Sequence, residues 1–372
     1  MEDGVPRAGV EGSEDLVFSG SEETWQRLLA GPPERFYNDL MANLSTRSGL
    51  RRSGDAVAHA QYFSAIMRSV ELLRQPFTAN APLSSDPAPA GTVSAATGRY
   101  IHLDLDGASH RIYFEEAGHG IPVLLQHTAG CHSSQWRHLL EDARLTERFR
   151  LIAYDLPYHG KSLPPVGVPW WEQRYLLKGD FLRAVPLQLA AHLKLDQPVF
   201  MGCSVGGLLA LDLAHKHPDQ FRAVISVEGA LKIEGSLAAM DALWHPQISS
   251  DYKARLMEGL VAPMSPTAYR KETAFVYSSG WPQSFQGDLH YYVEEYDLRS
   301  VAHEIDTDRV SVDILSGEYD YSGTRDHGRA AHEAIAGSTW QEMPGMGHFP
   351  MSENPELFIP YLLPILDRIA TR

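Results

Sequence analysis

One segment constrains this chain more than any other: Gly202-Cys203-Ser204-Val205-Gly206-Gly207 stands between the apolar run PVFM and the helix-like LLALDLAHKHP. A serine in that setting sits on a sharp bend from strand to helix, and small residues on both sides let the two elements approach closely. Its hydroxyl is then presented at the carboxyl edge of a sheet, where the first amides of the helix favour developing negative charge. The competing reading, a glycine-rich turn with an incidental serine, does not call for both the strand and the helix.

A strand that runs into a helix implies a parallel sheet, and the pattern from residue 99 onward agrees. RYIHLDLDG and SHRIYFEEAG read as an opening hairpin, and IPVLLQH, RFRLIAYDLP, PVFMGCS, FRAVISVEGA and VSVDILSGEYD follow as short strands separated by amphipathic helices. ENPELFIPYLLPILDRIA closes the chain as a helix. The alternation stops between 230 and 306, a stretch rich in Trp, Tyr, Met and Pro that reads as a helical lid inserted into a core of 99–229 and 307–372. Ahead of the core, 1–75 carries the signals of three helices (EETWQRLLA, PERFYNDLMANL and DAVAHAQYFSAIMRSVELLRQ), and 76–98 turns to Pro, Ala, Ser and Thr as a linker does. The expected architecture is a mostly parallel, twisted α/β sheet flanked by helices, with a lid and an N-terminal helical extension.

With 372 residues and 44% hydrophobic content, the chain can bury one large core and a smaller added module. The net charge of -15 argues against nucleic acid or anionic lipid as partner, because phosphate contacts need clustered Lys and Arg. No apolar stretch reaches membrane-spanning length, and MEDGVPRAGVEGSEDL lacks a signal-peptide pattern, so the expectation is a cytoplasmic protein without a membrane partner. Two cysteines, Cys131 and Cys203, give neither a disulfide framework nor metal-ligand spacing; two buried free thiols are expected, and no structural metal.

A serine hydroxyl needs a base. Among seventeen histidines, His348 lies in the glycine-flanked turn GMGHFP before the last helix and is free to point at a site, whereas His192, His215 and His217 fall on helix patterns. The base in turn needs a carboxylate that fixes its tautomer. Asp320, in SGEYD just past a strand, is the first choice; Glu318 beside it and Glu228, directly after AVISV, remain alternatives. For an oxyanion hole, the amides of Ala129, in His127-Thr128-Ala129-Gly130, and of Val205 are placed to serve, with His127 as a structural support of its loop.

Taken in order, HTAG, DLPYHGKS, GCSVGG, GEYD and GMGHFP resemble the α/β-hydrolase family over roughly Arg99 to Arg372. The resemblance implies a Ser204, Asp320, His348 triad, an acyl-enzyme route and no cofactor. DLPYHGKS carries Tyr158 where the family commonly has glycine, and HTAG departs from the usual HG-x-x. The family also contains dehalogenases and epoxide hydrolases, but these use an aspartate nucleophile where this chain has Ser204. Hydrolysis of a carboxylic ester or lactone of a medium-sized, partly hydrophobic small molecule is the leading expectation; a C–C bond hydrolase, an acyltransferase and a non-catalytic receptor are the alternatives.

For the substrate, the lid offers Trp244, Tyr269, Phe275, Tyr277, Trp281, Phe285, Tyr291, Tyr292 and Tyr296, with packing against the core as the competing use of the same aromatics. Trp244, Trp281 and Tyr292, with Tyr158 from the core, are the candidates for the pocket wall. The N-terminal helices, with apolar faces in FYNDLM and YFSAIM, fit two uses: narrowing the entrance beside the lid, or a homodimer contact.

Overall fold

The computed structural model describes residues 16–78 and 88–371. Ten strands are present among them: β1 (Leu16–Ser19), β2 (Arg51–Gly54), β3 (Thr97–Leu105), β4 (Ala108–Ala117), β5 (Ile121–Gln126), β6 (Phe149–Tyr154), β7 (Val199–Cys203), β8 (Ala223–Val227), β9 (Ser311–Gly317) and β10 (Thr339–Met343). The last eight form one sheet in the order β10-β9-β8-β7-β5-β6-β4-β3. From β10 to β6 every pairing is parallel, and β4 and β3 join antiparallel at the edge.

Side-chain alternation sends each parallel strand's residues to both faces, which is why these strands read as continuous apolar runs. Leu124, Phe200, Val224 and Ile314 point into one core layer, against the helices Gly179–His192 and Val205–Lys216. Val123, Leu125, Val199, Met201, Ala223, Ile225 and Leu315 point into the other, against the closing helix Pro355–Ala370. At the sheet's edge β3 is largely solvated, and the β3–β4 hairpin turns on Asp106-Gly107, both at positive φ, as a two-residue primed turn requires.

Between β8 and β9 lies the helical insertion: short helices Leu237–Leu243, Asp251–Glu258, Thr267–Ser278 and Pro282–Leu289, continued by a wider π turn at His290–Glu295. The N-terminal segment departs from three plain helices. Helices occupy Glu22–Leu28, Leu40–Ser45 and Ala56–Leu73, and β1 and β2 pair antiparallel as a separate two-stranded sheet. The middle helix starts late because Phe36 stands at φ 66 and Asp39 caps Leu40–Ser45, its Oδ1 accepting from the Met41 amide at 2.6 Å. Part of the predicted linker, 79–87, lies outside the described residues.

Candidate active site

Ser204 follows the last residue of β7 and precedes the first of the helix Val205–Lys216, at φ 61 and ψ -115, a conformation an L-residue adopts only under constraint. Its amide donates to the Val227 carbonyl at 2.9 Å and its carbonyl accepts from Leu208 at 2.9 Å. Glycines make room for the bend: a Cβ at Gly202 would stand 2.4 Å from the Gly206 carbonyl oxygen, and one at Gly207 2.3 Å from that of Val227.

The loop after β10 brings His348 to the same edge of the sheet. Its Nδ1 meets Asp320 Oδ2 at 2.7 Å, and both side chains are buried. Asp320 sits in the loop after β9 and also accepts from the amides of Ser322 at 2.7 Å and Gly323 at 3.0 Å. Burial alone would raise its pKa, but the charge and hydrogen bond of His348 and the Ser322 amide outweigh burial and hold it below the usual aspartate range.

The two other acids are not bonded to the histidine. Glu318 Oε2 accepts from the Gly345 amide at 2.8 Å. Glu228, fully buried at φ 54 after β8, turns both carboxyl oxygens to the Gly317 amide at 2.8 and 2.9 Å. Burial first, and then the neighbouring Asp320, push its pKa far up.

Glu353 is a buried acid that the sequence reading passed over. It accepts from the amides on either side of His348, Gly347 at 2.5 Å and Phe349 at 3.4 Å, and from Ala262 at 3.4 Å and the Ser265 hydroxyl at 3.3 Å in the lid. Burial pushes it up to about 7. It ends the short helix Pro350–Glu353 just ahead of the closing helix, where the sequence alone does not set it apart from Glu356.

The Ala129 and Val205 amides donate to no acceptor among the described residues, although the amides around Ala129 are all engaged: Thr128 with Gln135 Oε1 at 3.0 Å, Gly130 with Asp288 Oδ2 at 2.7 Å and Cys131 with the Thr128 carbonyl at 3.3 Å. His127 is a brace, its Nε2 accepting from the Leu156 amide at 3.1 Å while Nδ1 donates to the Thr128 carbonyl at 2.8 Å. Cys131 and Cys203 are free and buried; burial pushes the Cys131 thiol up to about 12, and Cys203 Sγ donates to the His348 carbonyl at 3.1 Å. Among the described residues no cluster of three or more His, Cys, Asp or Glu side chains is arranged to hold a metal ion.

Ser204, His348 and Ala129 line one cavity of about 540 Å³. No hydrogen bond joins the Ser204 hydroxyl to His348, whose Nδ1 is taken by Asp320. Of the four candidate wall residues only Tyr292 lines this cavity; its hydroxyl shares a hydrogen bond with Ser322 Oγ at 3.0 Å. The other three require correction. Tyr158 and Trp281 line a separate hollow of about 240 Å³, drawn there by aromatic packing: Tyr175 lies 5.2 Å from Tyr158 and 5.9 Å from Trp281, and Trp170 lies 5.5 Å from Trp281. Trp244 terminates the helix Leu237–Leu243 and faces solvent. Tyr277 and Phe285 do reach the cavity, whereas Tyr291 and Tyr296 bond Asp212 and the Ala230 carbonyl as packing groups. The rest of the wall mixes apolar side chains, among them Met240, Met257 and Leu260 of the insertion and Met41 of the extension, with Tyr252 and Tyr321 and the polar Ser45, Glu234, Ser322 and His327.

Known proteins share the fold. The sequence model described as the alpha/beta hydrolase fold matches residues 121–256. A pimeloyl-[acyl-carrier protein] methyl ester esterase of Vibrio vulnificus is 28% identical over 206 residues, which is 50% of this chain and 72% of the esterase. Among solved structures, a thermophilic esterase from Thermogutta terrifontis superposes with a TM-score of 0.62 at 19% identity, over 73% of this chain and 99% of that one. The enol-lactonase from Burkholderia xenovorans LB400 gives 0.60 at 21% identity, over 72% and 100%.

Proposed function

Starting from a chain that has the α/β-hydrolase fold, we propose that it is a serine hydrolase cleaving a carboxylic ester or lactone through an acyl-enzyme. The observation that carries this reading is the 2.7 Å contact of His348 Nδ1 with Asp320 at the wall of a cavity that also holds Ser204. With Asp320 accepting from Nδ1, the imidazole presents Nε2 to the cavity as a base. Ser204 Oγ attacks the substrate carbonyl carbon as Nε2 takes its proton, and the resulting oxyanion accepts from the unpaired Ala129 and Val205 amides. The imidazolium returns the proton to the leaving alkoxide, and water releases the acid by the same path. The serine–histidine hydrogen bond forms as substrate excludes water, since such contacts are commonly long in the free enzyme. The esterase and lactonase relatives support the same bond class.

A fluorophosphonate probe followed by a panel of esters and lactones tests the assignment. Labelling is expected at Ser204 and lost in Ser204→Ala. Labelling that survives the substitution removes the nucleophile from this position.

A further inference from the structure

The cavity has a wall supplied by a segment ahead of the sheet. The likeness to the esterase takes in 73% of this chain and nearly all of that one, and the segment ahead of Thr97 is about the size of the remainder. Within it, the helix Leu40–Ser45 presents Met41 and Ser45, four residues apart and so on one face, to the cavity of Ser204 and His348. Its other face is turned inward: Leu40 is buried in the extension's own cluster with Leu28, Phe63, Met67 and Val70.

The extension is fixed to the lid by residues that serve both surfaces. Leu243, Tyr252 and Leu256 line the cavity and also pack into the extension's cluster. The Phe63 ring meets Tyr252 edge-on at 5.3 Å and 84°. Asn38 Nδ2 donates to the Gly259 carbonyl at 3.3 Å, and Arg255 of the lid pairs with Glu71. Beside the rings of Tyr252, Tyr277, Phe285, Tyr292 and Tyr321, the wall carries Met41, Met240 and Met257, unbranched and polarizable side chains that adapt to a flexible alkyl chain.

We infer that the extension builds an acyl-chain subsite, in which Met41 and Ser45 face the distal part of a medium-length alkyl substrate and set the chain-length preference of the enzyme. This rests on the reading of Ser204 as nucleophile. The extension thereby acts as a specificity element and not as a free-standing module.

The test compares kcat/KM for p-nitrophenyl octanoate and acetate on the full chain. In Met41→Trp and Ser45→Trp the octanoate-to-acetate ratio is expected to fall at least about tenfold, the effect of excluding two methylenes at about fourfold each. In Met41→Ala the optimum is expected to move toward decanoate. A ratio within twofold of the parent in both Trp variants, with thermal stability retained, overturns the subsite; Ser45, on the exposed rim, decides it should Met41→Trp not fold. A second arm measures decanoate binding to Ser204→Ala by calorimetry, with and without Met41→Trp. If the parent turns over no ester, the nucleophile reading falls while a tenfold weaker decanoate Kd still supports the subsite and an unchanged Kd overturns it.

Discussion

At the scale of single residues, the site is a problem of three buried acids around one histidine. Asp320 has amide donors and the imidazole to sustain its charge and its pKa is held down, whereas Glu228 has one amide and a carboxylate for company and its pKa is pushed up by burial and then by Asp320. Asp320→Asn is therefore expected to lower kcat by about 10³ to 10⁴ through the wrong imidazole tautomer, with KM little changed. Glu228→Gln keeps a neutral donor beside Asp320 and is expected to stay within about fivefold of the parent. Steady-state kinetics on the best ester checks both, and a greater loss at 228 than at 320 would move the acid. Glu353 carries a pH signature. Its folded pKa of about 7 lies above the ordinary glutamate value of 4.5, so between those values the unfolded chain releases the proton first and stability declines as the pH rises, levelling off above 7. That shift corresponds to about 3 kcal/mol. Glu353→Gln has no such slope, so the parent's advantage in denaturant unfolding should shrink by about that amount from pH 4.5 to 8. An advantage constant with pH would show that the carboxyl does not titrate there.

At the scale of elements, the insertion reaches the loop of Thr128 to Gly130 through the Tyr277 hydroxyl on Thr128 and through a carboxylate. Asp288, on the helix Pro282–Leu289, accepts from the Gly130 amide at 2.7 Å, His159 Nε2 at 2.9 Å and the Tyr175 hydroxyl at 2.9 Å, entirely buried. Burial would lower the pKa of His159, but Asp288 outweighs it and raises the value, favouring the charged imidazole beside Asp288. A raised histidine contributes fully below the free value of about 6.5, and its contribution is lost as the pH climbs past the folded value. Asp288→Asn should cost about 3 to 5 kcal/mol near pH 6 by leaving the imidazolium unpaired, and less in alkaline solution. Unfolding at two pH values reads the difference; an equal deficit at both would mean that His159 is neutral throughout. The strands and the Ser204 bend could be read from sequence because their signals are local: an apolar run, a glycine turn, an amphipathic helix. Asp288 could not, because one acid in QGDLH acquires meaning only when three donors from distant loops converge on it. The β1–β2 pairing failed for the same reason, since RRSG has no strand character and its partner lies more than thirty residues away.

At the scale of the molecule, extension, lid and core are joined through shared side chains. The sequence marked the extension's apolar faces but not what they cover, because Met41 and Phe63 look alike in a helical stripe while one also lines the cavity of Ser204 and His348 and the other is buried against Tyr252. Beyond the lid, the Tyr319 hydroxyl, one residue before Asp320, donates to the Pro33 carbonyl at 3.5 Å, so the extension also touches the loop that carries the acid. If these contacts couple the parts, the chain unfolds in one transition and damage inside the extension is felt throughout. Phe63 is 1% exposed and its ring fills the extension's cluster, so Phe63→Ala should cost about 3 to 5 kcal/mol, the range for a buried aromatic whose cavity cannot fully collapse. The whole calorimetric endotherm should then move to lower temperature as a single peak, with ester turnover lost at the same temperature as secondary structure. Two resolved peaks, of which only the lower one shifts, would show instead that the extension melts alone, and turnover of short esters surviving that first peak would place catalysis wholly in the sheet and lid.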